Sequence, residues 1–138
     1  PGLIVNEKGE ILGKHRGLPF YTIGQREGLG IGGKFGPYYI IEKKVKQNKL
    51  VVTNNKKSPG LWKDSLLVKN ANWILDKEPK MPFRAEVRIR YNSPAFIATI
   101  SKKKSVGVKF DKPVRAVTPG QSAVFYKGNE LLGGGIII

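Results

Sequence analysis

The sequence predicts an all-β protein, with a small β domain followed by a six-stranded antiparallel β-barrel. Short apolar runs alternate with turn-forming residues at regular intervals, which is typical of small barrels without exposed sheet edges. Hydrophobic residues make up 40% of the 138 residues, enough for a packed core. Residues 83–91 alternate strictly between apolar and charged side chains, as a half-buried strand does. No stretch shows a convincing helical period.

The N-terminal residues predict a hairpin and then a glycine-rich segment. Residues 3–5, Leu-Ile-Val, and residues 10–12, Glu-Ile-Leu, are short segments rich in apolar residues, and the turn-forming residues 6–9 between them favour a hairpin. Seven glycines follow within residues 13–33. They exclude a helix, because each glycine costs about 1 kcal/mol there relative to alanine. They suit turns with positive φ, or the close approach of another molecule to the main chain.

The glycine-rich segment does not fit a nucleotide-binding motif. The glycines between Gly28 and Gly33 are spaced as in a dinucleotide-binding loop, but that motif needs a preceding strand and a following helix. The sequence that follows, YYIIE at residues 38–42, is aromatic and β-branched and predicts a strand instead. A Gly-Lys-Ser/Thr phosphate loop is also absent from the sequence.

Two aromatic and β-branched runs, residues 38–45 and 49–53, predict a second hairpin across a three-residue polar turn. Further along the chain, Trp62 and Trp73 stand in extended segments. We expect both rings in the core rather than on the surface as stacking platforms, because large aromatic side chains contribute most when buried.

A linker predicts the boundary between the two domains. Residues 77–82, KEPKMP, combine charged residues with two prolines, as connecting segments do. We therefore expect a first domain at residues 1–76 and a barrel domain at residues 77–138. The six predicted barrel strands are residues 83–91, 95–101, 105–110, 114–117, 121–126 and 130–132.

The first barrel strand is expected to place three arginines on one face. Arg84, Arg88 and Arg90 alternate with apolar residues, and neighbours on one face of a strand are about 7 Å apart. Such a face is either solvated or binds RNA phosphates. In the second case Tyr91, at the strand end, would stack on a base. Gln121, after a Thr-Pro-Gly turn, is a candidate for reading a base edge. The residues alone leave both interpretations open.

The net charge indicates a polyanionic partner. Lys and Arg number 25 against 10 Asp and Glu, which gives +15 and an isoelectric point near 10.1. This excess favours nucleic acid, because binding to phosphates releases condensed counterions. The alternative is a lysine-rich surface that serves solubility.

Composition excludes several kinds of site. The sequence has no cysteine, so disulfides, thiolate metal sites and cysteine nucleophiles are excluded. The single histidine, His15, has no partner constellation for acid–base catalysis, and no metal site is predicted. We expect His15 to contact phosphate or to belong to a turn. No apolar run approaches the roughly 20 residues of a membrane span. Because the chain begins at Pro1, we expect it to be part of a longer protein.

Two long motifs resemble the tRNA-specific 2-thiouridylase family. Residues 15–26, HRGLPFYTIGQR, continuing as GLGIGG at residues 28–33, are similar to the family's central-domain motif. Residues 110–126, FDKPVRAVTPGQSAVFY, and LGGGII at residues 132–137 are similar to its C-terminal barrel. That barrel in turn resembles the barrel of translation elongation factors. The order and spacing of both motifs fit, so the resemblance covers essentially the whole chain.

The resemblance implies a full-length enzyme that activates uridine 34 of certain tRNAs with ATP and magnesium and replaces the 2-oxygen with persulfide sulfur. In the family, an N-terminal domain of the ATP-pyrophosphatase type holds the nucleotide loop and two catalytic cysteines, and a sulfur-carrier protein delivers sulfur. We therefore expect only the central and C-terminal β domains here, inactive alone and without a catalytic residue or cofactor. The expected partners are tRNA and that N-terminal domain, in the cytoplasm and away from membranes.

The resemblance also selects residues as tRNA contacts. Arg90 and Tyr91 fall on the family's Arg-Tyr pair at a strand end, and Gln121 falls on the glutamine after Thr-Pro-Gly. Arg88 and Arg26 complete the predicted RNA-binding set.

The sequence departs from the family pattern at two places. Residues 92–94, Asn-Ser-Pro, lack the basic residue that often follows the Arg-Tyr pair, which puts one further phosphate contact in doubt. Glu27 stands where lysine is common, so that part of the glycine-rich segment is less basic.

Two other functions remain open at this point. One is a freestanding RNA-binding β-barrel of the translation apparatus, without an attached enzyme. The other treats the glycine-rich segment as a docking surface for a neighbouring domain or protein, with no contact to RNA.

Overall fold

The structure is a computed structural model that describes residues 1–32 and 35–138. Gly33, the last glycine of the glycine-rich segment, and Lys34 lie outside the described residues. Within the described part, all regular structure is β-strand except for one 3-10 turn at Leu18–Phe20. The predicted all-β class is confirmed.

The first of two structural units, Pro1–Trp62, contains a four-stranded sheet with the order β2-β1-β4-β3. The predicted hairpins β1–β2 and β3–β4 are both present, and each pairs antiparallel. In the middle of the sheet, β1 and β4 run parallel to each other, a non-local pairing that the sequence did not predict. The strands are β1 Gly2–Asn6, β2 Ile11–His15, β3 Tyr39–Lys44 and β4 Lys49–Thr53.

The β1–β2 turn follows from the side chain of Asn6. Its Oδ1 accepts hydrogen bonds from the backbone N–H groups of Lys8 (3.0 Å) and Glu10 (2.9 Å), which fixes the turn locally. The core of the unit is built from consecutive buried residues of the strands rather than from alternate ones, since Ile4 and Val5 are both buried, as are residues 50–53. The fully buried aliphatic side chains of this sheet are Ile4, Ile40, Leu50 and Val52.

The second unit, Lys63–Ile138, contains a closed six-stranded barrel with the order β10-β5-β8-β7-β6-β9. Closure satisfies the backbone groups that an open sheet would leave at its edges. The strands are β5 Trp62–Trp73, β6 Phe83–Arg88, β7 Phe96–Lys102, β8 Val106–Arg115, β9 Ser122–Lys127 and β10 Glu130–Ile137.

The barrel has the predicted number of strands, but one predicted strand is different. The sequence separates the runs 105–110 and 114–117 at Pro113, but the first run continues through Pro113 to Arg115 as one strand, β8, and residues 116–117 lie beyond its end. The ladder between β7 and β8 covers only Val106–Phe110, so no β7 residue requires an N–H from Pro113. The sixth strand is β5, which precedes the predicted linker.

The division of the chain therefore differs from the expected one. The two units divide between Trp62 and Lys63, whereas the sequence placed the boundary after residue 76. The physical reason is the pairing of β5 with β10, in which Trp73 lies opposite Gly133 and Val68 opposite Ile137. A local pattern predicts that a segment is extended but does not say which sheet it joins.

The two tryptophans have different environments. Trp73 is partly buried against the barrel core and stacks on Phe125 with ring centroids 5.6 Å apart, as expected. Trp62 is 39% exposed and is not a core residue. Its indole N–H donates to the carbonyl of Lys56 at 2.7 Å, which satisfies its polar atom near the surface.

Candidate nucleic-acid interface

The end of β6 exposes an aromatic ring. The buried face of the strand continues to Ile89, which is only 2% exposed, but regular pairing ends at Arg88. A turn follows, closed by the Ser93 N–H donating to the Arg90 carbonyl at 3.2 Å. Tyr91 therefore does not continue the apolar face, as strict alternation predicted, and its side chain is 92% exposed. An exposed ring of this kind is available to stack on an unpaired base.

Antiparallel pairing of β6 with β9 gathers most of the predicted residues around one cleft. Arg88 lies opposite Val124, so the end of β6 reaches the beginning of β9, which Gln121 immediately precedes. The cleft has a volume of about 380 Å³. Four of the five predicted RNA-binding residues are among those that line it, namely Arg88, Ile89, Arg90, Tyr91, Gln121, Ser122, Val124 and Tyr126.

The side chain of Arg90 connects the two loops that border this barrel cleft. Its Nη2 donates to the carbonyl of Ala116 and to the hydroxyl of Thr118, the latter at 3.1 Å. Burial lowers the pKa of Arg90 from its usual value, and the nearby positive charge of Arg115 lowers it further. Both of these hydrogen bonds use one nitrogen, Nη2, whereas a guanidinium carries five N–H donors. Arg90 can therefore hold the loops and still present donors to a phosphate.

Arg88 is held against an aromatic ring on the neighbouring strand. Its guanidinium carbon lies 5.6 Å from the centroid of the Tyr126 ring, within the range of a cation–π contact. Among the described residues, no carboxylate forms an ion pair with Arg88 or Arg90. The cleft thus presents two arginines whose positive charge no carboxylate of the described residues neutralises.

Gln121 is presented by a rigid turn. Its backbone N–H donates to the Thr118 carbonyl at 3.2 Å, and its own carbonyl accepts from the Ile137 N–H at 2.8 Å. The turn requires glycine at position 120, where φ is +90°. The backbone of Gln121 is therefore fixed while its side chain remains exposed at the cleft.

Arg84 has a different role from the two other arginines of the predicted row. Its guanidinium forms two parallel hydrogen bonds with the carboxylate of Asp111, at 2.7 and 2.6 Å. This bond lowers the pKa of Asp111 and raises that of Arg84. Of the two roles left open for the arginine face, Arg84 therefore has the solvated one, paired with a carboxylate on another strand that alternation does not reveal.

Further ion pairs neutralise other lysines of the barrel. Lys109 pairs with Asp64 at 2.5 Å, and Lys102 pairs with Glu78 at 2.8 Å. Exposed pairs of this kind contribute little to stability. They do, however, reduce the positive charge that these two lysines offer to a polyanion.

Arg26 does not line the barrel cleft. It belongs to the first unit, where it borders a separate groove of about 240 Å³ together with Gly28, Gly30 and Tyr38. Gly28 and Gly30 have φ of +75° and +67°, so the predicted positive-φ turns are present in the described part of this segment.

His15 is a structural residue of the first unit. It is 2% exposed, and its Nδ1 accepts from the Gly17 N–H at 3.0 Å. Because Nδ1 is an acceptor, Nε2 carries the proton and donates to the Asn48 carbonyl at 2.9 Å. Of the two roles expected for His15, the geometry supports the turn and not contact with phosphate.

Comparisons with known proteins agree with the motifs. A tRNA methyl transferase PRC-barrel domain model matches residues 1–54, and an aminomethyltransferase beta-barrel domain model matches residues 63–137. The relatives include tRNA-specific 2-thiouridylases of Geobacillus kaustophilus, Coxiella burnetii and Yersinia pestis, each 44% identical over 99% of this chain. The chain belongs to the tRNA-specific 2-thiouridylase family. It covers 38%, 40% and 38% of the length of these three relatives, respectively.

In this 2-thiouridylase-family chain, sequence reasoning missed two residues at the barrel cleft. Tyr126 holds Arg88, and Thr118 holds Arg90. Tyr126 could have been found from the alternation of β9, since Ala123 and Phe125 are buried and the residues between and after them face outward. Thr118 gives no such signal, because its bond joins residues 28 positions apart.

The described residues of this family member contain no group of three or more His, Cys, Asp or Glu side chains that could hold a metal ion. No helix in that part of the chain is long and apolar enough to cross a membrane.

Proposed function

We propose that this chain is the tRNA-binding, substrate-positioning portion of a tRNA-specific 2-thiouridylase. The barrel cleft is the observation that carries the proposal. It combines an exposed tyrosine, two arginines and a glutamine, whose chemistry suits stacking, phosphate contact and base-edge hydrogen bonding, respectively. Membership of the family and the net charge of +15 support a polyanionic RNA as the ligand.

In the full-length protein, the proposed reaction replaces the 2-oxygen of uridine 34 with persulfide sulfur after activation by ATP. The residues of this chain do not fit an ATP or magnesium site, because β3, not a helix, follows the glycine-rich segment and no carboxylate cluster is present in the described part. We therefore assign ATP, magnesium and the sulfur-bearing cysteines to an N-terminal domain of the ATP-pyrophosphatase type. A sulfur-carrier protein and a cytoplasmic location belong to the same proposal.

The role of this chain in that reaction is to hold the RNA in place. Tyr91 and Gln121 would bind a nucleotide of the anticodon region while Arg88 and Arg90 neutralise its phosphates. Rigid placement of a substrate accelerates a reaction without any chemical group from the positioning domain.

Equilibrium binding of a tRNA transcript with uridine at position 34 tests the proposal. The 138-residue chain is titrated by fluorescence anisotropy over a range of salt concentrations. We expect Arg88→Ala to weaken binding and to reduce the salt slope by about one unit, as loss of a phosphate contact does. Tyr91→Ala and Gln121→Ala should weaken binding without changing the slope, because neither side chain carries charge.

Arg84→Ala is the matched control, because Arg84 lies on the same strand but is neutralised by Asp111. It should leave affinity nearly unchanged. Absence of binding even at low salt, or equal losses for Arg84→Ala and Arg88→Ala, would contradict the proposal. The freestanding RNA-binding barrel would be favoured instead if the reading frame upstream of Pro1 lacked a nucleotide loop and cysteines.

A further inference from the structure

The turn that follows β2 is held rigidly by hydrogen bonds to buried side chains. The Gly17 N–H donates to Nδ1 of His15 and the Arg16 N–H donates to the Tyr21 hydroxyl, each at 3.0 Å. The Phe20 N–H closes the 3-10 turn on the Gly17 carbonyl at 3.1 Å. His15 and Tyr21 are themselves buried and contact each other edge to face at 5.9 Å. The backbone of residues 15–21 therefore has one well-defined conformation.

This rigid turn presents a cation and an aromatic ring together at the surface. The guanidinium carbon of Arg16 lies 5.3 Å from the centroid of the Phe20 ring, and Phe20 is 67% exposed. Gly17 makes this arrangement possible, because residues other than glycine rarely adopt its φ of +138°. Thus a buried histidine and a glycine hold the Arg16–Phe20 pair in place at the surface. This pair contributes nothing to the core.

The charges nearest to the Arg–Phe pair along the chain are of one sign. Residues 11–26 contain three cations, Lys14, Arg16 and Arg26, and no Asp or Glu. Glu10 is six residues of extended chain from Arg16, roughly 20 Å at strand spacing. A protein partner docking on an apolar patch would have to desolvate these cations. A polyanion with exposed bases, by contrast, matches both the charge and the ring.

We propose that Arg16 and Phe20 form a second RNA contact, in which an unpaired base of the tRNA stacks on Phe20 and an adjacent phosphate binds Arg16 and Lys14. The inference rests on the proposed tRNA-binding function. The contact itself would lie on the first unit, on a surface that the barrel cleft does not include. It gives the motif at residues 15–26 a function of its own: the buried residues build the turn and the exposed ones bind RNA.

Binding of the same uridine-34 tRNA transcript to variants of the whole chain tests this contact. Phe20→Ala should weaken binding on the order of 5- to 100-fold, as loss of base–aromatic stacking does, without changing the salt slope. Arg16→Gln should weaken binding and reduce the salt slope by about one unit. Phe20→Trp should retain affinity, because the larger ring still stacks.

The matched controls are Val45→Ala, at a side chain 76% exposed, and Lys46→Gln, at the exposed turn between β3 and β4 of the same unit. Neither should alter affinity, and thermal unfolding should show that every variant folds. Binding that is unaffected by Phe20→Ala and Arg16→Gln but weakened by Tyr91→Ala would overturn this inference and leave the proposed function standing. Such a result would favour a protein partner at the turn. A wild-type chain that does not bind tRNA would overturn both.

Discussion

For a single residue, His15, the sequence limits the possible roles but does not select one of them. The sequence disfavours a catalytic role, because it offers no partner constellation for acid–base chemistry. It left two roles open, phosphate contact and turn structure, since neither burial nor the distant Asn48 carbonyl is visible in a local pattern. The structure assigns His15 to the turn, where both of its ring nitrogens are used.

His15→Ala is therefore predicted to destabilise the first unit by about 2–4 kcal/mol, through a cavity and two lost hydrogen-bond partners. Urea unfolding followed by circular dichroism measures the change. Lys14→Ala, at the exposed neighbouring position, is the control and should change the free energy of unfolding by less than about 0.5 kcal/mol. Equal stability of the two variants would show that the bonds of His15 contribute nothing.

Thr118 is a positioning residue for the barrel cleft. Its hydroxyl accepts from Arg90 and donates to the Ala116 carbonyl at 2.9 Å, so it joins the side chain of Arg90 to the backbone of its own turn. Thr118→Val keeps the shape but removes the hydroxyl. We predict a loss of tRNA affinity of roughly 2- to 10-fold, the size of one hydrogen bond, with an unchanged salt slope because no charge is lost. Thr118→Ser should restore affinity, and failure of that rescue would contradict the role.

The pairing of Arg84 with Asp111 predicts a specific pH dependence. The guanidinium hydrogen bond lowers the pKa of Asp111. The pair therefore stabilises the folded state above the unfolded pKa, about 3.9, and the contribution is lost as the pH falls through the lower folded pKa. In Arg84→Gln the pKa of Asp111 should rise toward its ordinary value, as measured by NMR titration of the carboxyl carbon. Asp64, whose pKa is lowered by Lys109, is the internal control and should not move.

At the scale of elements, local patterns predicted the hairpins and most barrel strands correctly. Alternation identified β6, and turn residues separated β9 from β10. The failures concern non-local pairing. β5 joins the barrel through strands that are distant in sequence, β8 and β10, with Gly133 opposite Trp73. β8 passes through a proline, which normally ends a strand. Neither arrangement has a local signal.

β10 contains three consecutive glycines because neighbouring backbones approach it closely. A Cβ at Gly134 would lie 2.5 Å from the Ala123 carbonyl oxygen. Gly134→Ala is therefore predicted to destabilise the barrel by about 1–3 kcal/mol through overpacking, as measured by thermal or urea unfolding. Gly32→Ala is the matched control, because nothing lies within 4 Å of a Cβ there. If both variants unfolded like the wild type, the strands would not be as close as the structure places them.

At the scale of the whole molecule, positive charge is shared between the two units. Residues 1–62 carry 11 Lys and Arg against 4 Asp and Glu, and residues 63–138 carry 14 against 6, so the net charges are +7 and +8. Composition therefore predicts a polyanionic partner, but it does not predict which surface of the protein binds that partner. Location depends on which cations are neutralised, and the ion pairs of Arg84, Lys102 and Lys109 became visible only in the structure.

The central claim is that tRNA binds the β6–β9 face of the barrel. NMR chemical-shift mapping of the 15.3-kDa chain with an anticodon stem-loop containing uridine 34 tests it most directly. We expect the largest amide shifts to cluster around Tyr91, Gln121 and Tyr126, with only small shifts around the neutralised Arg84–Asp111 pair. Shifts concentrated around Arg84 and Asp111, with none at Tyr91 and Gln121, would contradict it.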